Sequence, residues 1–326
     1  DETEFTEETA LMVTESNEIG YFEFDNVPAG NFLVREIASP EAFVLTEEIF
    51  PVEITEDGQT IEITIENQII KGTAETIKVD ADYPDHKLSG AVFEVYADVD
   101  NNGEFNADID KLAGEMTETE PGLYQMKDLV YRNYFLHEKE APEFFEKDDG
   151  YYPFSITENE AIVRIETEAG EGFLNKAQTG SLKVVKTADD DKVEGRTFKI
   201  SGTDFMGNAY EQEFKTDENG EINLTLRVGE YTVSEVAGED SEKYILPDDQ
   251  TVEIKAGETT TVKMHNKLVP EVPSVPQTGD NPWMPAILGT LAGLAVLSGG
   301  ALLFLRYTGK KRKSADQADE DQGTEE

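Results

Sequence analysis

Three times along the chain an aromatic residue stands four positions ahead of a glutamate: Phe32 with Glu36, Tyr134 with Glu138, and Tyr231 with Glu235. A glycine precedes each glutamate at nearly the same distance, Gly20 and Gly122 by 16 residues and Gly220 by 15. An asparagine follows each, Asn67 and Asn266 after 31 residues and Asn175 after 37. Repetition of this kind means that one supersecondary unit is used three times, so a fold assigned to one segment must serve the other two. The intervening sequence is short alternating runs broken by turn pairs such as Asp57-Gly58, Asn102-Gly103, Asn219-Gly220 and Ala256-Gly257, the pattern of strands joined by hairpins. Up to residue 285 no stretch has a helical period. The expected fold class is all-β, with tandem immunoglobulin-like β-sandwiches of about 70 to 110 residues each.

Alternation also says where the repeated polar residues point. Ile61, Ile63, Ile65 and Asn67 lie on one face of a strand, with Glu62, Thr64 and Glu66 on the other. The same count puts Tyr231, Val233 and Glu235 on one face, Val262, Met264 and Asn266 on another, and Leu182, Val184 and Lys186 on a third. The starts of the second and third repeats align, since Gly72 precedes Lys78 and Gly180 precedes Lys186 by six residues. A lysine, a carboxyl group and an amide aimed into an apolar interior are costly unless they satisfy one another.

These residues carry a resemblance. The fragments IKVD, GAVFEVY, YFLHEKEAP and FLNKA between 72 and 177, GSLKVVKT, YTVSE and HNK between 180 and 267, and GYFEFDNVPAG, FLVREIASP and IEN between 18 and 67 resemble the collagen-binding-protein B-type domains of Gram-positive surface proteins and pilins, also called SpaA-type or prealbumin-like domains. The resemblance implies spontaneous isopeptide bonds, Lys78 to Asn175 assisted by Glu138 and Lys186 to Asn266 assisted by Glu235. Burial disfavours charge, so a sequestered lysine is expected as neutral amine and nucleophile. A neutral glutamic acid would polarise the amide and carry the proton that lets ammonia leave. The alternative is a buried, hydrogen-bonded cluster without covalent chemistry. Glu36 and Asn67 have no lysine in their own repeat, because the first lysine in the chain is Lys71. With Asp1 in first place and no leader, the expectation is a fragment whose first domain lacks its opening strands.

The C-terminus sets the compartment. Residues 286–305, AILGTLAGLAVLSGGALLFL, are uncharged for the length a helix needs to cross a bilayer. Trp283 lies at one end and Arg306, Lys310, Lys311, Arg312 and Lys313 follow the other, which places the tail in the cytoplasm and everything earlier outside. A buried core helix is the alternative. Immediately before comes Val275-Pro276-Gln277-Thr278-Gly279, after a linker with prolines at 270, 273 and 276. Motif, span and basic tail resemble the LPXTG sorting signal of wall proteins, with valine in place of leucine at 275. That resemblance implies cleavage between Thr278 and Gly279 by a sortase and transfer to an amine of the peptidoglycan cross-bridge.

The expected divisions are therefore a truncated sandwich at 1–70, sandwiches at 71–177 and 178–268, a linker and sorting motif at 269–285, a transmembrane helix at 286–305 and a cytoplasmic tail at 306–326. A net charge of −43 excludes nucleic acid as a partner. The absence of cysteine excludes disulfides and thiol catalysis, and three scattered histidines exclude a multi-histidine zinc site. One further motif, Asp98, Asp100, Asn102, Glu104 and Asn106 around Gly103, resembles a calcium loop but has Ile109 where the bidentate glutamate belongs. Asp108 or Asp110 could substitute, and the alternative is a solvated acidic turn. The expected function is a stalk for adhesion to a host extracellular-matrix or surface ligand and not a turnover enzyme. A pilus subunit or the spacer region of a surface hydrolase are the other readings.

Overall fold

In a computed structural model, which describes residues 9–271, nearly all regular structure is β-strand. The one helical element among these residues is a short 3-10 turn, Ser241–Lys243. The all-β expectation holds, and no helix of the described residues is long and apolar enough to cross a membrane. The 286–305 span, the 275–279 motif and the tail lie outside the described residues.

The strands fall into three groups that follow the repeats. In the third, one sheet runs in the order Glu221–Arg227, Thr179–Ala188, Thr259–Leu268, Tyr244–Ile245, and the other Ala209–Lys215, Thr197–Asp204, Gly229–Glu235, Gln250–Ile254. Leu182, Val184, Phe198, Ile200, Val233, Val262 and Met264 fill the space between them. These are the alternate residues of each strand, as a sandwich buried on one face of each sheet requires.

The second group repeats this plan. One sheet is Tyr151–Ile156, Arg132–Glu140, Val92–Ala97, Lys111–Glu115; the other centres on Lys71–Asp80, flanked by Leu123–Val130. Here the asparagine strand is split. Ile162–Arg164 and Phe173–Asn175 both pair in parallel with Lys71–Asp80, and residues 165–172 leave the ladder between them. That excursion accounts for the longer glutamate-to-asparagine spacing in this repeat. It re-enters at Gly172, whose φ of +92° and position against the backbone leave no room for a side chain: a Cβ would lie 2.6 Å from the carbonyl oxygen of Ile77.

The first group is thinner. Gly30–Val34 pairs with Phe50–Ile54, and Phe43–Val44 with Gln68–Ile69. The strand expected over Ile61–Asn67 forms no ladder. Its counterpart in the third repeat, Thr259–Leu268, is hydrogen-bonded along its length to the lysine-bearing strand Thr179–Ala188. Among the described residues nothing takes that place in the first repeat, and alternation without a neighbour does not make a sheet. Phe22, Phe24, Ile63 and Ile65 are accordingly only half-buried.

Candidate functional site

Parallel pairing of the lysine and asparagine strands positions the three polar side chains of each trio. Lys78 stands opposite Phe173 and Lys186 opposite Met264, so in both repeats the asparagine is two residues further along the neighbouring strand, on the same face. This diagonal is within reach of a long side chain. The glutamate comes from the facing sheet, Glu138 two residues before the end of Arg132–Glu140 and Glu235 at the end of Gly229–Glu235. Each trio thus bridges the interior of its sandwich.

In the second repeat Lys78 and Glu138 are fully buried and Asn175 is 2% exposed. The Lys78 Nζ lies 3.4 Å from Glu138 Oε1, donates to the Phe173 carbonyl at 3.1 Å, and sits 4.6 Å from the centroid of the Phe173 ring. Asn175 Nδ2 donates to both oxygens of Glu138, at 2.9 and 2.8 Å, and the backbone N–H of Asp148 donates to Oε2 at 2.8 Å. The Asn175 Oδ1 is buried without a hydrogen-bond partner, so Glu138 meets the amide as an acceptor from its nitrogen and does not donate to the carbonyl as the expected neutral acid would. Burial pushes the Lys78 amine down to about 8, against the opposing pull of the Glu138 charge.

The third repeat matches it. Lys186 Nζ lies 3.3 Å from Glu235 Oε2 and donates to the Thr187 carbonyl at 3.0 Å, while Asn266 Nδ2 donates to Glu235 Oε1 at 2.7 Å. Burial again lowers the lysine, with the Glu235 charge opposing. Glu235 Oε2 and Asn266 Oδ1 are buried without hydrogen-bond donors. In the first repeat Asn67 Nδ2 donates to both oxygens of Glu36, at 2.9 and 2.7 Å, and the Thr46 N–H contributes a long bond to Oε2 at 3.4 Å. The pair is half-buried, and no lysine of its own repeat accompanies it.

The acidic loop is gathered differently from its sequence spacing. Oxygens of Asp98, Asp100 and Asp110 lie within 4.8 Å of one another, a set that could hold a divalent cation. Asp98 and Asp110 are buried, and their carboxylates also accept backbone N–H groups, from Asn102 and Gly103 at 3.3 and 3.0 Å and from Val99 and Asn106 at 2.9 and 2.7 Å. Of the other expected ligands, the Oδ1 of Asn102 accepts the Glu104 N–H and that of Asn106 the Asp108 N–H, and Glu104 is exposed. Asp110, one of the two residues that could substitute for the missing glutamate, joins Asp98 and Asp100 because the loop returns to its start, while Asp108 is not in this group.

Two of the groups that surround the second-repeat trio carried no sequence signal: the Asp148 amide and the Phe173 carbonyl. Each acts through backbone placement, which no residue pattern encodes.

A family model for the SpaA prealbumin-like fold domain matches residues 3–69, 72–171 and 180–268. Among solved structures, the Bacillus anthracis TIE protein is 25% identical and superposes with a TM-score of 0.58, over 78% of this chain and 45% of that one. The chain therefore spans less than half the length of that protein. The minor pilin GBS52 of Streptococcus agalactiae is 18% identical with a TM-score of 0.27, covering 64% of this chain and 99% of its own. The shaft pilin SpaA from Lactobacillus rhamnosus GG is 14% identical with a TM-score of 0.28, over 63% and 99%. No curated protein matches the chain. With its three matches covering most of the sequence, the chain belongs to the SpaA prealbumin-like domain family and carries that domain in three tandem copies.

Proposed function

We propose that this chain is the stalk of a wall-anchored surface protein whose second and third domains lock themselves with Lys78–Asn175 and Lys186–Asn266 isopeptide bonds. The observation that carries the reading is the sealing of a lysine, a glutamate and an asparagine into the core of two successive sandwiches, at 3.4 and 3.3 Å between amine and carboxylate. Membership of a family of extracellular surface domains supports the setting, and the order of sorting motif, apolar span and basic tail supports the anchor.

The chemistry follows from the contacts. The neutral Lys78 amine attacks the Asn175 Cγ, forming the new N–C bond and placing negative charge on Oδ1. Glu138 takes a proton from Nζ and delivers it to Nδ2, to which it is already hydrogen-bonded; the Cγ–Nδ2 bond breaks and ammonia leaves. Folding supplies the proximity. Each domain reacts once, so the glutamates assist a self-modification and not a turnover. At the C-terminus, sortase cleavage after Thr278 would pass the chain to a peptidoglycan amine.

Intact-mass measurement tests the reading. The chain should weigh less than its sequence by two molecules of ammonia, with linked peptides joining Lys78 to Asn175 and Lys186 to Asn266. A mass equal to the unmodified sequence would overturn the self-locking mechanism. Wall digests should release a chain ending at Thr278, and wall material that retains Lys310–Lys313 would overturn the anchor.

A further inference from the structure

Arg227 ends the strand Glu221–Arg227 of the third domain, and its guanidinium reaches into the second. It pairs with the fully buried carboxylate of Asp80, the last residue of the Lys71–Asp80 strand, and its Nη1 lies 3.0 Å from Asp204 of its own domain. Asp82 adds a looser contact at 3.9 Å. Three rings surround the cation, Tyr83 and Phe145 from the second domain and Phe205 from the third, with centroids 5.1, 5.9 and 5.4 Å from the guanidinium carbon. Leu88, Phe145 and Ala177 form a small apolar cluster of their own, joined by Phe205, at the junction.

The connecting segment is held from both sides. The Lys176 carbonyl accepts the Glu146 N–H, the Gln178 N–H donates to Phe144, and the Gln178 side chain donates to Phe145, all in the second domain. From the third, the Val228 N–H donates to the Gln178 carbonyl and the Phe205 N–H to that of Val228. A buried carboxylate whose cation belongs to the next domain cannot keep its partner if the domains swing apart, and desolvated ions left unpaired are heavily penalised. Arginine suits the place because its planar fork can meet two carboxylates while its faces stack on rings.

We infer that Arg227 is the keystone of a rigid joint, so that the second and third domains move and bear load as one body. The joint sits at the end of the second domain's lysine strand, beside the asparagine: the Ala81 N–H donates to the Asn175 carbonyl, and Asp80 is the register partner of Asn175. Force entering the third domain therefore reaches the second at the point where its first and last strands meet, whether or not these are covalently linked.

Limited trypsin digestion of the full chain reads the joint, because Lys176 is exposed in side chain yet lies in the clamped segment. Arg227→Gln should raise nicking after Lys176 by about 100-fold, the scale expected when a buried ion pair is broken and the open state becomes populated. Hydrogen exchange at the Gln178 and Val228 amides should rise with it, while nicking after the exposed loop residue Lys192 and exchange within Gly229–Glu235 stay as in the parent. Unchanged nicking at Lys176 together with unchanged exchange at Gln178 and Val228 would overturn the inference. If Arg227→Gln instead exposes the whole of Gly229–Glu235 to exchange, the milder Phe205→Leu and Asp80→Asn decide: either must open the linker with the strand still protected, and parent-like rates in both would overturn it.

Discussion

The Nζ of Lys78 lies 3.4 Å from Oε1 of Glu138 although the two side chains start on facing sheets of one sandwich. Neither residue has solvent to fall back on, since both are fully buried. A buried ion pair of this kind contributes little net stability, because the desolvation of both groups offsets their attraction. The proposed self-linking needs amine, carboxylate and amide together in both domains, whereas a purely structural pair does not, and the first prediction separates the two roles.

Glu138→Gln keeps the size and most hydrogen-bonding capacity of the side chain but cannot take the proton from Nζ. The variant should lose one ammonia in place of two, and its second domain should unfold at lower denaturant. The 78–175 closure is long, so losing it removes about 4 to 5 kcal/mol in the chain-entropy account of cross-links. A variant that still sheds two ammonia molecules would remove Glu138 from the mechanism.

The pH dependence follows from the Lys78 amine, which burial lowers from 10.5 to about 8. In Asn175→Ala the amine has nothing to attack, and its titration becomes a stability term. Below about pH 8 both folded and unfolded chains hold the proton, and the folded state carries the full cost of the buried charge. Between about 8 and 10.5 the unfolded chain binds more protons than the folded one, so stability climbs with pH, by about 3 kcal/mol in all. Denaturant melts from pH 7 to 11 check this against Lys78→Met/Asn175→Ala, which should show no such rise. In the parent, bond formation should quicken up to about pH 8 and then level.

Much of this site was legible in the sequence, and the reason is periodicity. Leu182, Val184 and Lys186, or Val262, Met264 and Asn266, declare their face by alternation alone, and the structure buries each of them. Ile61–Asn67 carries the same pattern and forms no ladder, because alternation describes a side-chain preference while a strand also needs a hydrogen-bonding neighbour. The split in the second asparagine strand was visible as a spacing of 37 against 31, but its location was not. Arg227 could not be singled out from sequence, since its partners Asp80 and Tyr83 lie some 145 residues earlier and only the folded arrangement brings them together.

Gly172→Ala should damage the second-domain site without altering Lys78, Glu138 or Asn175. The added Cβ would meet the Ile77 carbonyl oxygen at 2.6 Å, and the φ of +92° is itself unfavourable for alanine. Relief requires Phe173–Asn175 to move away from Lys71–Asp80, separating Asn175 from Lys78. The expected result is a domain destabilised by about 1 to 3 kcal/mol and slower loss of its ammonia, followed by peptide mapping. Gly170→Ala, with open space around its Cβ, is the control for backbone conformation alone. Equal linkage rates in parent and Gly172→Ala would show that the close approach does not set the geometry.

The two trios should not react at the same rate. Glu138 accepts three N–H bonds, two from Asn175 and one from the Asp148 backbone, whereas Glu235 accepts one from Asn266 and leaves Oε2 without a donor. The third bond comes from a turn that Asp148 braces itself, its carboxylate accepting the Gly150 N–H at 2.6 Å and the Tyr152 hydroxyl at 2.7 Å. A carboxylate held on several sides spends less of its time in unproductive orientations, and positioning of this kind acts directly on the rate of an intramolecular step. In newly synthesised chain sampled over time, the Lys78–Asn175 peptide pair should therefore appear before Lys186–Asn266. Asp148→Ala, which unbraces the turn and leaves Lys78, Glu138 and Asn175 in place, should slow the first linkage toward the rate of the second and leave the second unchanged. Simultaneous linkage in the parent, or a second-domain rate indifferent to Asp148→Ala, would show that the amide contact is structural and that the proximity of lysine and asparagine alone sets the pace.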